Sequence, residues 1–156
     1  MDDEVVTRLL AALEARGVQY VIFGAVALNL HGLARATEDL DLFIAPEEAN
    51  VDRLKMALQD VFDDPEIANI TSRDLLGEYP AVQYNPPDGP FHIDILTRLG
   101  EAFTFSDLEI ERVPYRDLTV SVVSPRTLYT MKKDTVRPQD RADADILRRR
   151  FKLERD

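Results

Sequence analysis

Cysteine is absent from the 156-residue chain. That excludes a disulfide framework, a thiolate zinc site, an iron–sulfur cluster and a cysteine nucleophile. Histidine is scarce: His31 and His92 are the only 2, too few and too far apart for a histidine-rich metal centre. Long apolar runs are missing too. The most apolar stretch, Tyr20 to Leu30, is broken by Asn29 and followed by His31, well short of the roughly 18 residues a membrane span needs. The start, Met-Asp-Asp-Glu, is acidic where a secretory signal is basic. The expected location is therefore the cytoplasm, with no membrane partner. Neither a Walker A lysine motif nor a Gly-x-Ser-x-Gly elbow occurs.

What is present is ordinary for a globular protein: 45% apolar and 31% charged residues. The length predicts a single domain over residues 1–156. Charge is unevenly spread. Residues 1–125 hold 9 Lys+Arg against 23 Asp+Glu, a net of −14, whereas residues 126–156 hold 10 against 6, a net of +4. The last segment either lends positive potential to an acidic body or forms a solvated basic helix face.

Periodicity predicts a helix from Val5 to Arg16, with Val6, Leu9, Leu10 and Leu13 on one face and Gly17 as its stop. A strand follows over Val18–Phe23, then a short helix over Ala25–His31 closed by Gly32. A second strand is expected over Thr37–Ile44, and Pro46 opens a helix to Phe62. Ala81–Tyr84 and Phe91–Leu96 flank Asn85-Pro86-Pro87-Asp88-Gly89-Pro90, strong turn chemistry that reads as a hairpin. Leu118–Val123 is a further strand. Ser124-Pro125 is an N-cap with proline at the first helical position, and a last helix spans Gln139–Phe151. The order predicts an α+β fold, a short mixed sheet flanked by helices with C-terminal helices.

Chemistry concentrates at Asp39-Leu40-Asp41. On a strand, Asp39, Asp41 and Phe43 share one face, and Leu40, Leu42 and Ile44 the other. Two carboxylates projecting together suit a hard divalent cation that also takes phosphate oxygens. Asp143 and Asp145 have the same spacing but lie on a helix, where residues two apart diverge. Upstream, Phe23-Gly24-Ala25 is a strand–glycine–helix turn, which aims N–H groups at an anion. A third carboxylate, Asp94, interrupts the apolar strand 91–96, with His92 and Leu96 on its face. If that strand neighbours Thr37–Ile44, three carboxylates converge. They could hold two metals, and Asp94 could accept the proton of an attacking hydroxyl. Farther on, Lys132 follows Leu128 by four residues, on an inward stripe, while Asp140, Asp143 and Leu147 share a stripe of the last helix. An inward acid wants a cation, and Lys132 or Arg137 could serve. Arg35 could approach phosphate or pair with Glu38. His31 reads as a packed helix cap, and Tyr79, Tyr84, Tyr115 and Tyr129 show no base-stacking spacing.

Phe23-Gly24-Ala25, Asp39-x-Asp41 and the later Asp94 resemble the nucleotidyltransferase superfamily with the DNA polymerase β-like core. The string from Gly24 to Asp41, with its His31-Gly32, Arg35 and Thr37, is similar to minimal nucleotidyltransferases of the AbiEii toxin branch. The resemblance covers residues 18–44 and 91–96, and Lys132–Leu147 more loosely. It implies Asp39, Asp41 and Asp94 as catalytic and metal-binding residues, with Mg²⁺ or Mn²⁺ as cofactor. It implies Gly24, Ala25, Arg35, Thr37, Lys132 or Lys133, Arg137 and Asp140 around the nucleotide. Lys132 would touch the triphosphate, and Asp140 would orient it or the base. The implied reaction moves a nucleoside monophosphate from ATP, GTP or another NTP to a hydroxyl on a tRNA end, a protein or a small molecule. The implied partners are a cognate antitoxin or a second copy of the chain.

Two departures stand out. Ala25 occupies a place usually held by glycine or serine; alanine keeps the N–H but has no hydroxyl. The chain also has little room for the extra helical domain of polymerising members, so single transfers are expected. An alternative is a nucleotide- or partner-binding module on the same fold with weak or no catalysis.

Overall fold

The computed structural model describes residues 3–77, 80–87, 89 and 91–153. Helix α1 (Asp3–Ala15) buries Val6, Leu9, Leu10 and Leu13, the stripe its 3.6-residue period demands. Gly17 ends it through an N–H bonded to the Glu14 carbonyl. Strand β1 (Tyr20–Phe23) runs directly into helix α2 (Gly24–Leu30). Strand β2 (Asp39–Ile44) starts later than the β-branched Thr37 suggested. The Thr37 hydroxyl accepts from the Asp39 N–H at 3.0 Å, and this local turn holds Thr37 out of the ladder. Helix α3 (Glu48–Phe62) begins after Pro46 and buries Val51, Leu54, Ala57 and Leu58. It packs beside α1. A 3₁₀ turn at Pro65–Asn69 and the short helix α4 (Ser72–Leu75) were not expected from the sequence.

Strands β3 (Ala81–Tyr84) and β4 (His92–Leu96) pair antiparallel, as the turn chemistry between them requires. Asp88 and Pro90 of that turn, Tyr79, and Arg155 of the basic segment lie outside the described residues. A small hairpin follows, β5 (Arg98–Leu99) with β6 (Phe103–Thr104). Strand β7 (Ile110–Tyr115), also unexpected, pairs antiparallel with β8 (Leu118–Val123). Helices α5 (Pro125–Lys132) and α6 (Pro138–Arg150) pack on each other. The Ser124 side chain accepts from the Thr127 N–H, the cap that Ser-Pro announced.

The sheet order is β3-β4-β2-β1-β8-β7. Pairs β2/β4 and β1/β8 are parallel and the rest antiparallel, so the sheet is mixed. Leu40, Leu42 and Ile44 on one face of β2 are wholly buried in the apolar core. This burial fixes the register, because a slip of one residue would bury Asp39 and Asp41 instead.

One buried polar side chain ties the layers together. Asn50 of α3 is 0% exposed. Its Oδ1 accepts from the Gln19 N–H at 2.7 Å, and its amide donates to the carbonyls of Gln19 at 3.0 Å and Ala45 at 3.1 Å. It thereby joins the entry to β1 and the exit from β2 to the helix over them. Removing this side chain strands backbone groups away from water. Asn50→Ala is expected to lower the unfolding free energy in urea titrations by about 2–4 kcal/mol. A loss well under ~1 kcal/mol would show that the junction does not depend on Asn50.

Candidate active site

The turn from β1 into α2 is made possible by one glycine. Gly24 has φ +72, and a Cβ there would stand 2.0 Å from Asp41 Oδ2. The residue must therefore be glycine for both backbone angle and space. No side chain caps the first turn of α2, and Gly24 and Ala25 line a cleft of about 1020 Å³. A nucleotide-sized ligand suits such a volume.

The carboxylates are brought to that turn by strand register. Asp41 pairs with Phe23 on one side and Asp94 on the other, and Asp94 pairs with Gln83. Asp39 pairs with His92. Paired residues present their side chains to the same face, so Asp39, Asp41, His92 and Asp94 all line the cleft. Burial, then the negative charge of Asp94 and of Asp39, together with a hydrogen bond to Asp94, push Asp41 up to about 7; Lys132 acts in the opposite sense. Among the described residues, no three His, Asp or Glu side chains enclose a preformed metal cage. Oxygen-only donors that repel one another beside an open cleft nevertheless fit a hard cation that completes its shell with phosphate or water. The Gln83 amide donates to Asp94 Oδ1 at 3.1 Å, and His92 Nδ1 bonds Asn85 Oδ1.

The opposite wall comes from the C-terminal helices: Leu128, Met131, Lys132, Thr135, Arg137 and Asp140. Lys132 Nζ lies 3.1 Å from Asp140 Oδ1 and 3.4 Å from Asp143 Oδ2. Asp143 is only 4% exposed. It also takes Arg35, whose Nη1 is 2.7 Å from both carboxylate oxygens, and the Gln139 amide at 3.0 Å. Burial works against ionisation of Asp140, but Lys132, the Thr135 hydroxyl and Arg137 outweigh it and hold Asp140 below the usual carboxylate range. The inward stripes read from sequence therefore meet as an ion network.

The structure brings Gly24, Ala25, Arg35, Thr37, Asp39, Asp41, Asp94, Lys132, Arg137 and Asp140 to one cleft. Lys133 is not among them. It points over the Tyr129 ring, 5.8 Å from its centre, into a separate depression of about 300 Å³ between α5 and α6. Arg35 pairs with Asp143 rather than with Glu38; the true partner is 108 residues away, beyond any local reading. Asp145 does diverge from Asp143 and pairs with Arg148 and Arg149. His31 is a packed cap, its Nε2 2.7 Å from the Val123 carbonyl and its ring against Phe151. Tyr84 is buried on Asp64, and no described tyrosine lines the cleft. Gln83, Asn85 and Thr135 were missed. Counting back through the hairpin would have placed Gln83 opposite Asp94.

The sequence matches the family described as "Nucleotidyl transferase AbiEii toxin, Type IV TA system" over residues 8–152. No curated protein matches it in sequence. Among solved structures, it is similar to ANT(2")-Ia in complex with adenylyl-2"-tobramycin, with TM-score 0.59 and 14% identity over 96% of this chain and 90% of that one. It is also similar to an antigenic nucleotidyltransferase-like protein from Paracoccidioides brasiliensis, with TM-score 0.53 and 17% identity over 92% and 74% of the two chains. At these identities the likeness is one of fold.

The raised Asp41 makes a prediction about the metal-free protein. Between the ordinary value of 3.8 and about 7, the folded chain keeps a proton that the unfolded chain has released. Stability should then fall as pH rises through that window and level off above it. Asp41→Asn removes this penalty. Its thermal midpoint in EDTA should exceed the parent's at pH 8, with the gap closing towards pH 4. A midpoint below the parent's at pH 8 would make Asp41 a structural residue.

Proposed function

The chain belongs to the AbiEii nucleotidyltransferase family, and from that premise we propose that it transfers a nucleoside monophosphate from an NTP to a hydroxyl acceptor, with Mg²⁺ or Mn²⁺ as cofactor. The observation that carries this is the convergence of Asp39, Asp41 and Asp94 on paired strands, facing Lys132 across one cleft.

In this reading Asp39, Asp41 and Asp94 hold the divalent cation. When bound, it neutralises triphosphate charge and polarises the phosphorus under attack. The N–H groups at Gly24 and Ala25 face the phosphates without help from a side-chain hydroxyl. Lys132, Arg137 and Arg35 supply fixed positive charge to an otherwise acidic body, and Thr37 and Asp140 flank the nucleotide. Asp94 accepts the proton of the acceptor hydroxyl as its oxygen bonds to the α-phosphorus. The bond from that phosphorus to the β-phosphate bridge breaks, and pyrophosphate leaves. The protein contributes chiefly by positioning and electrostatics. The whole chain, residues 1–156, acts as one domain. No helix among the described residues is long and apolar enough to cross a membrane, which suits work in the cytoplasm, where NTPs are abundant. The acceptor is a tRNA end, a protein or a small molecule. The adenylylated tobramycin in the ANT(2")-Ia complex supports keeping a small molecule in that set. A toxin role, with an antitoxin or a second copy as partner, follows from the family description alone.

Ala25 favours a second reading, a nucleotide- or partner-binding module that transfers little. The two separate when each α-labelled NTP is incubated with the protein and Mg²⁺ in cell extract. Transfer predicts a labelled product that disappears in Asp41→Ala while that variant stays folded. Metal-dependent NTP binding without label from any NTP would favour the binding module.

The basic wall gives a binding prediction. Lys132 is 14% exposed and faces the carboxylates, whereas Arg149 is 65% exposed and pairs with Asp145. By calorimetry at low salt, Lys132→Ala should weaken NTP binding about tenfold or more, a loss of ~1.4 kcal/mol. Arg149→Ala should leave it near the parent value. The gap should narrow as salt rises, since ionic contacts are screened. Equal affinities at low salt would return the C-terminal helices to the status of a solvated basic face.

A further inference from the structure

The carboxylate read above as the proton acceptor is held from behind by a residue of the sheet edge. Gln83 sits on β3, the last strand of the sheet on that side, in register with Asp94. Its Nε2 donates to Asp94 Oδ1 at 3.1 Å. Gln83 is exposed, so water would satisfy its amide equally well, and the fold does not need this bond to avoid a buried orphan. At the Asp94 carboxylate the same bond fixes one oxygen. The last torsion of an aspartate is broad and roughly two-fold, so neither backbone nor rotamer sets the plane of its oxygens. On its other side lies Asp41, which both repels Asp94 and shares a hydrogen bond with it.

Resting on the reading of Asp39, Asp41 and Asp94 as the reactive centre, we propose that Gln83 is a positioning residue. Its amide holds Asp94 Oδ1 and so turns Oδ2 towards the cleft, where the cation and the acceptor hydroxyl meet it. A neutral donor suits the task. A lysine or arginine would place a fixed positive charge beside the cation, and an acid would add to the repulsion among carboxylates. The same hairpin makes a second bond of this kind. Asn85, just beyond β3, bonds His92 Nδ1, and His92 is the other cleft-lining residue of β4. The edge strand and its turn thus back the cleft-facing side chains of β4, as outer partners orient the ligands of a metal site.

The test uses the full chain with Gln83→Ala, Gln83→Glu and Asp94→Asn. It reads the thermal midpoint without metal, Mn²⁺ affinity by calorimetry without nucleotide, and the rate of label transfer from an α-labelled NTP. Gln83→Ala should keep its midpoint within about 2 °C of the parent, because an exposed edge residue carries little stability. Its Mn²⁺ affinity should fall about tenfold and its transfer ten- to hundredfold. Gln83→Glu fills the same space without a donor and should slow transfer as well. Parent-like Mn²⁺ affinity and transfer in Gln83→Ala, or parent-like transfer in Gln83→Glu, would overturn the proposal. So would a midpoint lowered by many degrees in Gln83→Ala, which would assign the residue to the fold. If Asp94→Asn is inactive while Gln83→Ala is not, only this inference fails. If Asp94→Asn is itself parent-like in both metal affinity and transfer, the site reading has failed with it.

Discussion

The parallel pairing of β2 with β4 sets Asp41 directly beside Asp94, with Asp39 two residues away on the same face. Everything else at the cleft answers to that concentration of negative charge. Carboxylates so placed cannot all ionise freely without a cation between them; burial first, and then this crowding, raises Asp41 to about 7. The opposite face of the same strand makes the arrangement tolerable. Leu40, Leu42 and Ile44 are fully buried, and their apolar burial holds the register against the repulsion. Fold and site are thus two faces of one strand, set by the period of two in its side chains.

The C-terminal helices complete the electrostatics. Lys132 is held by Asp140 and Asp143, and Arg35 by Asp143. These acids keep two cations at the cleft while satisfying them. A lone lysine on the inward stripe of α5 would be costly, and an acid as buried as Asp143 without its partners would be worse. The network makes each side's burial permissible and leaves the cations within reach of an incoming anion. Lys133, one residue on, has turned 100° round the helix and looks away.

Legibility in the sequence followed burial and locality. The face of β2, the glycine turn, the hairpin and the Ser124 cap were all readable, because each depends on a periodicity or on neighbours within a few residues. The convergence of Asp94 with Asp39 and Asp41 was readable only as a condition, since strand adjacency is a long-range fact. Strand β7 gave no signal. Ile110, Glu111 and Arg112 are exposed and Pro114 sits within it, features of an edge strand that mask alternation. Arg35 found its partner in Asp143 because α6 folds back over the loop before β2, and nothing near Arg35 announces that helix. Lys132 was favoured over Lys133 by its spacing from Leu128, and the helix turns Lys132 into the cleft and Lys133 into a separate depression. The family string from Gly24 to Asp41 was the strongest signal, and the match over residues 8–152 extends it to nearly the whole chain.

The bond between Arg35 and Asp143 spans 108 residues, and this has a consequence for the newborn chain. One wall of the cleft is drawn from residues 23–99 and the other from residues 128–140. Synthesis proceeds from the N-terminus, so the two walls do not become available together. Until α5 has been made, Asp39, Asp41 and Asp94 have no Lys132 opposite them. A copy that stops before α5 therefore holds the carboxylate wall of the cleft without its cationic wall.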